Sequence, residues 1–197
     1  RQRQMCIRDR IPRNDGSNIV DEKYNESIFV GYRWTDKEKI TPLFPFGHGL
    51  SYTSYKYGKA VIDKNIMGDD EVLTVTVPIT NIGMRAGSEI VQMYISDLKS
   101  SLPRPVKELK GFSKVSLEPG ETKKVTFTIN KEALSFFDDV RHEWIAEPGI
   151  FKAIIAASAR PDLCGNSGQR HCMRSQPGSQ RYWFTGIYDR AGNTLRP

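Results

Sequence analysis

The fold of this chain is decided by a stretch in which apolar and polar residues alternate, Leu73-Thr74-Val75-Thr76-Val77-Pro78-Ile79-Thr80. Successive side chains of a β-strand point to opposite faces, so the four aliphatic residues are expected on one face of a strand. Proline has no N–H to donate to a neighbouring strand. We therefore expect Pro78 to lie at a sheet edge or at a bulge.

The same alternation recurs on the C-terminal side of this strand. Its expected inward-facing residues are Val91, Met93 and Ile95; Val125, Phe127 and Ile129; and Phe151, Ala153, Ile155 and Ala157. Weaker strands are predicted at 106–109 and 112–117 on either side of Gly111, with a helical turn at 131–134 and a hairpin joining 135–137 to 142–146. Roughly seven short strands with frequent turns predict an all-β fold, an antiparallel immunoglobulin/fibronectin III-like β-sandwich. The Cys-Trp-Cys pattern of true immunoglobulin domains does not occur.

Two turns share one sequence pattern, Glu118-Pro119-Gly120 and Glu147-Pro148-Gly149. Proline sets φ near −65° at the second position of a turn, and glycine accepts a positive φ at the third. We therefore expect a positive φ at both glycines, with a strand starting after each turn.

A different kind of segment precedes the strands, Pro42-Leu43-Phe44-Pro45-Phe46-Gly47-His48-Gly49-Leu50-Ser51-Tyr52-Thr53. Its prolines fix φ, its glycines permit positive φ, and its large side chains offer apolar surface. This composition fits neither a helix nor a regular strand, so we predict a rigid connector pressed against a large surface. For His48 there are two interpretations: a proton shuttle, or a partly buried histidine hydrogen-bonded to backbone at a domain junction. We favour the second.

A β-branched and aromatic run lies upstream, Ser27-Ile28-Phe29-Val30-Gly31-Tyr32-Arg33-Trp34. It has little alternation, as expected of a strand covered on both faces. Tyr32, Arg33 and Trp34 are candidate substrate-binding residues, because aromatic rings at the rim of a site can stack on a sugar. The alternative is that they fill an interface.

In this order, the motifs resemble those of glycoside hydrolase family 3, the family of many β-glucosidases and β-xylosidases. The run at 28–34 is similar to the last strand of the α/β-sandwich second domain, with Ser27 in place of a glycine. The connector is similar to the segment that leads into the fibronectin type III-like third domain. That third domain is resembled over nearly all of residues 50–158, through the strings Asn81-Ile82-Gly83, 86–94, 103–112, 117–122 and Leu134-Ser135-Phe136-Phe137-Asp138.

The resemblance implies a function for the parent enzyme: hydrolysis of terminal non-reducing β-D-glucosyl residues with retention and without a cofactor or metal. In that family the nucleophilic Asp and the acid/base Glu belong to upstream domains, and neither motif occurs in this chain. We therefore expect a non-catalytic, structural part, inactive alone. It would contact the upstream catalytic domains through Phe44, Phe46, His48, Leu50 and Tyr52, and meet oligosaccharide only through them. Family members of this kind imply a periplasmic or secreted location.

A second hypothesis belongs to another class: a free-standing β-sandwich that binds carbohydrate or protein as an accessory module. The run at 28–34 and the connector argue against it, since a free module needs neither.

Other polar groups are weaker candidates for chemistry. Asp138 and Asp139 are consecutive carboxylates, which a turn splays apart, so a turn role is expected. Cys164, Cys172 and His171 provide three ligands in a spacing unlike that of a zinc site, so no metal is expected.

The basic charge of the chain, +6 overall, is confined to its ends. Residues 1–16 carry +3, residues 17–159 carry −1 and residues 160–197 carry +4; the ends contain Arg but no Lys. No basic face is therefore expected for nucleic acid, and no apolar stretch is long enough for a membrane span. The expected divisions are a non-native leader (1–16), which resembles a translated sequencing adaptor, a remnant strand and connector of an α/β domain (17–49), a fibronectin type III-like domain (50–158) and an atypical, disordered tail (159–197).

Overall fold

The computed structural model describes residues 26–160 and three short strands beyond them. The helices are α1 (Tyr32–Lys37) and α2 (Lys131–Leu134). The strands are β1 (Tyr55–Tyr57), β2 (Val61–Ile62), β3 (Ile66–Met67), β4 (Leu73–Asn81), β5 (Gly87–Asp97), β6 (Glu108–Leu117), β7 (Thr122–Ile129), β8 (Phe136–Asp138), β9 (Glu143–Ile145), β10 (Phe151–Ala156), β11 (Gln169–His171), β12 (Tyr182–Trp183) and β13 (Ile187–Tyr188). In the described part of the chain, neither helix has the length or apolar character of a membrane span.

Two antiparallel sheets form the sandwich. In the first, β4 pairs with β1 and β2 along one side and with β7 along the other. In the second, the strand order is β13-β11-β10-β5-β6. Two smaller pairs, β3 with β12 and β8 with β9, complete the described strands. The prediction of an all-β, antiparallel sandwich is confirmed.

The core lies between the two sheets and contains the apolar residues of the alternating stretches. The aliphatic side chains of β4 and the inward-facing side chains of β5, β7 and β10 are all buried in one cluster. Burying each such side chain contributes about 1.5–3 kcal/mol. The expected faces of these four strands, the helical turn at 131–134 and the hairpin of β8 and β9 are confirmed.

The second sheet is buried on both faces, which the alternation did not predict. Besides the core residues of β5, the intervening residues Gln92, Tyr94 and Ser96 are buried. Ile154 of β10, paired with Tyr94 of β5, is also buried. Both belong to a separate small cluster, against which Tyr32 and Leu109 pack. The outer face of this sheet is therefore covered by a third layer, formed by α1 and the connector.

The prediction of a strand at 27–34 was wrong. Residues 26–28 form a turn and α1 begins at Tyr32. A strand with no neighbour leaves its backbone N–H and C=O groups unpaired, whereas a helix pairs them within its own segment. No adjacent strand exists for these residues in the described part of the chain, and Ile28 and Val30 are exposed.

The predicted edge position of Pro78 was wrong, since β4 is the central strand of its sheet. The predicted irregularity is present, because between the pairs Tyr57–Ile79 and Val61–Thr76 the neighbouring segment has one residue more than β4. The strand beside it is interrupted, however, between β1 and β2. Pro78 O accepts a hydrogen bond from Gly58 N at 2.8 Å, next to this interruption. N–H and C=O groups of one residue point to the same side of an antiparallel strand. The N–H that proline lacks would thus point to where the neighbouring strand ends.

Two glycines differ from expectation. Gly111 does not separate two strands: β6 runs through it, and a register shift against β5 makes Lys110 the extra residue of a bulge. Gly120 has the expected positive φ of 76°. Gly149 lacks the expected positive φ. Among the described residues, the glycines with a positive φ are Gly31, Gly47 and Gly120.

Candidate interdomain surface and aromatic cleft

The connector (residues 42–53) is held against the outer face of the second sheet by backbone contacts. Ala159 N donates to Phe46 O at 2.8 Å, and Pro45 is buried. Gly47, at φ +83°, lies so close to the amide of Gln92 that a Cβ there would be 2.2 Å from Nε2. A side chain at this position would have to displace the buried Gln92 amide or the connector, and the positive φ also favours glycine here.

Helix α1 is fixed to the same sheet by three polar contacts. Leu109 N donates to the Tyr32 hydroxyl at 2.9 Å. Lys107 forms an ion pair with Asp36, and both side chains are more than nine-tenths buried. Arg33 lies 3.5 Å from the carboxylate of Glu108. The six-residue helix is thus bound to β6 and to the segment before it.

Aromatic rings fill the space between α1, the connector and the sheet. The Tyr32 ring lies 5.8 Å from that of Tyr94, edge to face, and 5.4 Å from that of Phe46. Tyr94 donates its hydroxyl proton to Gln92 Oε1. Burial, with the nearby Tyr32 and Asp36, raises the pKa of Tyr94 far above its usual range, so this phenol stays protonated.

The side of the connector that faces away from the sheet is apolar and exposed. Leu43, Leu50 and Tyr52 are 88%, 95% and 91% exposed, and Phe44 and Phe46 are more than half exposed. His48 was expected to be partly buried and is instead exposed, with its ring 5.3 Å from that of Phe44. Its backbone N–H donates to Pro45 O at 2.9 Å. The interface role of these residues stays a prediction.

The candidate sugar-contacting residues Tyr32, Arg33 and Trp34 do not share one environment. Tyr32 contacts the sheet and Arg33 contacts Glu108, as described above. Trp34 is 37% exposed, with Lys37 Nζ 5.5 Å from its ring. The structure therefore does not place the three side chains around one opening.

A cleft of about 560 Å³ lies between the 27–33 segment, the 102–105 loop and the β8–β9 hairpin. At its inner edge Arg104 binds Asp97 at 3.1 Å and Glu108 at 2.9 Å, and its guanidinium also donates to Leu134 O at 3.1 Å. Proline-flanked Arg104 lies in a loop without periodicity, so sequence reasoning missed this cluster. The signal in the sequence was a charged residue between two prolines, Pro103-Arg104-Pro105.

The two carboxylates on Arg104 have opposite pKa shifts. Burial raises the pKa of Asp97, although Lys99 N and Arg104 oppose it. Burial acts on Glu108 in the same direction, but the hydrogen bond from Arg104 and the charges of Lys110, Arg104 and Arg33 outweigh it and lower the pKa. Such a pair invites comparison with an acid and a nucleophile. Glu108 lines the cleft, while Asp97 is 2% exposed and does not, so they cannot both face one glycosidic bond.

The remaining candidates have structural contacts. Asp138 accepts hydrogen bonds from Val140 N at 2.9 Å and Arg141 N at 3.1 Å, which is the predicted turn role. Among the described residues there is no group of His, Cys, Asp and Glu that can hold a metal ion. Cys164 and Cys172 lie outside the described residues, and only the backbone of His171 is described.

The chain matches known proteins over much of its length. Residues 89–159 match a family described as "Fibronectin type III-like domain". The chain is 54% identical over 140 residues to Beta-glucosidase BoGH3A of Bacteroides ovatus. The match covers 71% of this chain and 19% of that protein. It is 49% identical over 138 residues to Thermostable beta-glucosidase B of Acetivibrio thermocellus, covering 70% and 18%.

A solved structure gives the same result. Beta-glucosidase 3B from Thermotoga neapolitana, in complex with α-D-glucose, superposes with a TM-score of 0.65 at 37% identity over 77% of this chain and 20% of that chain. The fold thus defines a fibronectin type III-like domain with an attached connector. The chain is thus similar in sequence and fold to β-glucosidases of glycoside hydrolase family 3, and it spans about a fifth of the length of those that it matches.

Proposed function

We propose that this chain is the C-terminal part of a longer family 3 β-glucosidase, which releases terminal non-reducing β-D-glucosyl residues with retention. Residues 26–160 orient the catalytic domains without taking part in the chemistry. The relatives named above are β-glucosidases, and the chain matches a small share of each. The family resemblance further supports a periplasmic or secreted location, which fractionation of the source cells would test.

The observation that carries the proposed role is the two-sided connector. One side is bound to the sheet through Phe46 O, Pro45 and Gly47, and the other side presents five large apolar side chains to solvent. Several large apolar side chains exposed on one short segment favour an interaction site. Since the connector lies directly before the sandwich, the upstream domains of the same polypeptide are its nearest partner.

The contacts of four described carboxylates support a structural role for them. Asp97 and Glu108 bind Arg104, Asp36 binds Lys107, and Asp138 accepts hydrogen bonds from a turn. A retaining glycosidase needs two carboxyl groups about 5–5.5 Å apart and open to the sugar. Carboxylates held in buried ion pairs and turns are unsuited to that work.

Activity and docking are tested with a chimera. The matching segment of the Bacteroides ovatus enzyme is replaced by residues 26–160, and hydrolysis of p-nitrophenyl β-D-glucoside is measured. The chimera should hydrolyse the glucoside, whereas residues 1–197 alone should not exceed a blank. Hydrolysis by residues 1–197 alone would refute the non-catalytic role.

The docking surface is tested in the same chimera with Leu43→Ser and Phe44→Ser. We expect a lower unfolding temperature and loss of activity on heating, because these side chains lose their apolar contact with the catalytic domains. The matched control is Phe112→Ala, an exposed aromatic residue of β6. Equal thermal inactivation of the chimera with and without the two connector changes would rule out docking through this surface.

A further inference from the structure

Two clefts meet at Trp144. The cleft of about 560 Å³ described above includes Trp144 and Lys110 in its lining. A second cleft, of about 670 Å³, shares both residues. Its other lining residues are Thr128, Asn130, Glu132 and Ala133. Together they form one extended depression, the Trp144 groove, on the side of the sandwich that carries the β8–β9 hairpin.

An aromatic platform lies at the centre of the Trp144 groove. Trp144 is 68% exposed, and its ring lies 5.8 Å from that of Phe137, its partner across the β8–β9 hairpin, at 68°. Cross-strand aromatic pairs of this edge-to-face geometry stabilise a hairpin and restrict ring motion. One face of a large indole is therefore presented to solvent at low entropic cost.

The charges lining the Trp144 groove balance. Its lining contains three cations and three anions. The cations are Arg33, Arg104 and Lys110, and the anions are Glu108, Glu132 and Asp139. Lys110 Nζ lies 3.5 Å from Glu108, and so does the Arg33 guanidinium. The groove thus offers both donors and acceptors without net charge. This favours a neutral, polyhydroxylated ligand over a polyanion, which would select for cations alone.

We propose that the Trp144 groove binds a neutral oligosaccharide, with the apolar C–H face of one sugar ring on the Trp144 indole. Hydroxyls of neighbouring rings would bind Glu108 and Lys110 on one side and Asn130 and Glu132 on the other. Volumes of this size suit ligands larger than one sugar. The described lining consists of residues of this chain alone, so the proposal holds whether or not the parent enzyme hydrolyses the same glycan.

The experiment titrates uniformly ¹⁵N-labelled chain 1–197 with cellohexaose, and in parallel with laminarihexaose and xylohexaose. The chain contains three tryptophans, at 34, 144 and 183, so its indole N–H resonances report on each site separately. The Trp144 signal is identified by its loss in Trp144→Phe. We expect the Trp144 signal to shift saturably with at least one hexaose, with the same dissociation constant at low and high salt.

Variants test the contribution of the ring. Trp144→Ala should weaken binding about tenfold, as measured by calorimetry, and Trp144→Phe by less, because a smaller ring keeps part of the stacking surface. Phe112→Ala, at an exposed aromatic outside the groove, should leave binding unchanged. If Trp144→Ala disturbs the hairpin, the shifts of the unmodified chain still decide the question.

Three results would overturn the proposal. They are no shift of the Trp144 signal with any of the three hexaoses at millimolar concentration, a shift confined to the Trp34 or Trp183 signal, and binding that disappears with salt. Failure of the chimera to hydrolyse its glucoside bears on the proposed function alone, because the titration involves no catalytic domain.

Discussion

At the scale of single residues, Asn81 joins three parts of the sandwich. Its side chain is fully buried at the end of β4. The Oδ1 atom accepts from Thr53 Oγ1 at 2.6 Å and Gly83 N at 3.0 Å, and Nδ2 donates to Arg85 O at 2.8 Å and Leu117 O at 3.1 Å. One amide therefore links the end of the connector, the β4–β5 loop and the end of β6.

Replacing Asn81 by alanine should lower the free energy of unfolding by about 3 kcal/mol. The variant loses four hydrogen bonds at a buried position, two of them to the main-chain carbonyls of Arg85 and Leu117. Urea unfolding of chain 1–197 measures the loss. The matched control is Asn130→Ala, which removes an exposed helix cap to Ala133 N and should cost about 1 kcal/mol. Equal losses in the two variants would contradict the central role of Asn81.

Glu89 is a half-buried carboxyl of β5 that receives one hydrogen bond, from the Tyr57 hydroxyl at 2.8 Å. Burial raises its pKa, and the hydrogen bond opposes the rise. Between the ordinary pKa of a glutamate and the raised one, the folded chain holds a proton that the unfolded chain has released. The stability contributed by this proton is complete below the ordinary pKa and is lost as pH rises through the raised one.

The substitution Glu89→Gln should therefore stabilise the chain at neutral pH and change little at about pH 4. Glutamine has no charge to bury, and its carbonyl still accepts from Tyr57. Urea midpoints of both proteins at a series of pH values provide the test, with m-values checked for constancy. A stability difference that stays flat, or shrinks as pH rises, would show that ionisation of Glu89 is not costly.

At the scale of elements, α1 is a short helix stabilised by tertiary contacts. Six residues are too few for an independent helix in water. Its N-cap residue is Gly31, which has no side chain to accept a hydrogen bond from the first turn. What holds it are the buried Asp36–Lys107 pair, the Leu109–Tyr32 hydrogen bond and the ring contacts of Tyr32.

Lys107→Ala should release α1 from the sheet while leaving the sandwich folded. Removing one member of a buried ion pair leaves the other without compensation, at a cost of about 3 kcal/mol. We expect amide exchange in residues 32–37 to rise about a hundredfold, the equivalent of that cost. Protection in β4 and β5 should not change.

A more exposed ion pair is the control for Lys107→Ala. Lys131 lies 2.6 Å from Asp69, and both side chains are more than a third exposed. Exposed pairs contribute less than about 1 kcal/mol, so Lys131→Ala should leave exchange in α1 unchanged. If Lys107→Ala also left it unchanged, the ion pair would not be what holds the helix.

The elements that the sequence predicted correctly are those in which burial on a single face leaves a period of two. Leu73 to Ile79 of β4 show this best, because one face meets the core and the other presents threonines. β5 departs from the pattern, because Gln92 and Tyr94 are polar or amphipathic. Gln92 lies against Gly47 of the connector and Tyr94 against Tyr32 of α1, so their burial depends on segments distant in sequence. The run at 27–34 has the composition of a strand, and only the absence of a neighbour in the described residues decides against it.

The candidate site was harder to predict than the fold. The connector was recognisable from its prolines and glycines, and its apolar side chains were identified. Which of them contact the sheet was not, because Gly47 and Pro45 lie against Gln92 and the outer face through non-local contacts. The Arg104 cluster depends on three segments converging, which no local pattern records.

At the scale of the whole molecule, the described chain has three layers: two sheets and the covering layer of α1 and the connector. The side chains between the two sheets are buried, whereas the large apolar side chains of the connector are exposed. We therefore expect folding stability to reside in the core and the connector surface to contribute to association. This separation predicts that the two properties can be changed independently.

The triple substitution Leu43→Ser, Leu50→Ser and Tyr52→Ser should change the free energy of unfolding of chain 1–197 by no more than about 0.5 kcal/mol. These side chains are almost fully exposed, so their removal costs little burial. Self-association, measured by sedimentation velocity at increasing concentration, should decrease, because the exposed apolar surface is smaller.

Leu73→Ala, in the core, should instead cost about 2–5 kcal/mol. A loss of stability in the triple variant comparable to that of Leu73→Ala would mean that the connector surface is packed within this chain, and would remove the case for docking against upstream domains.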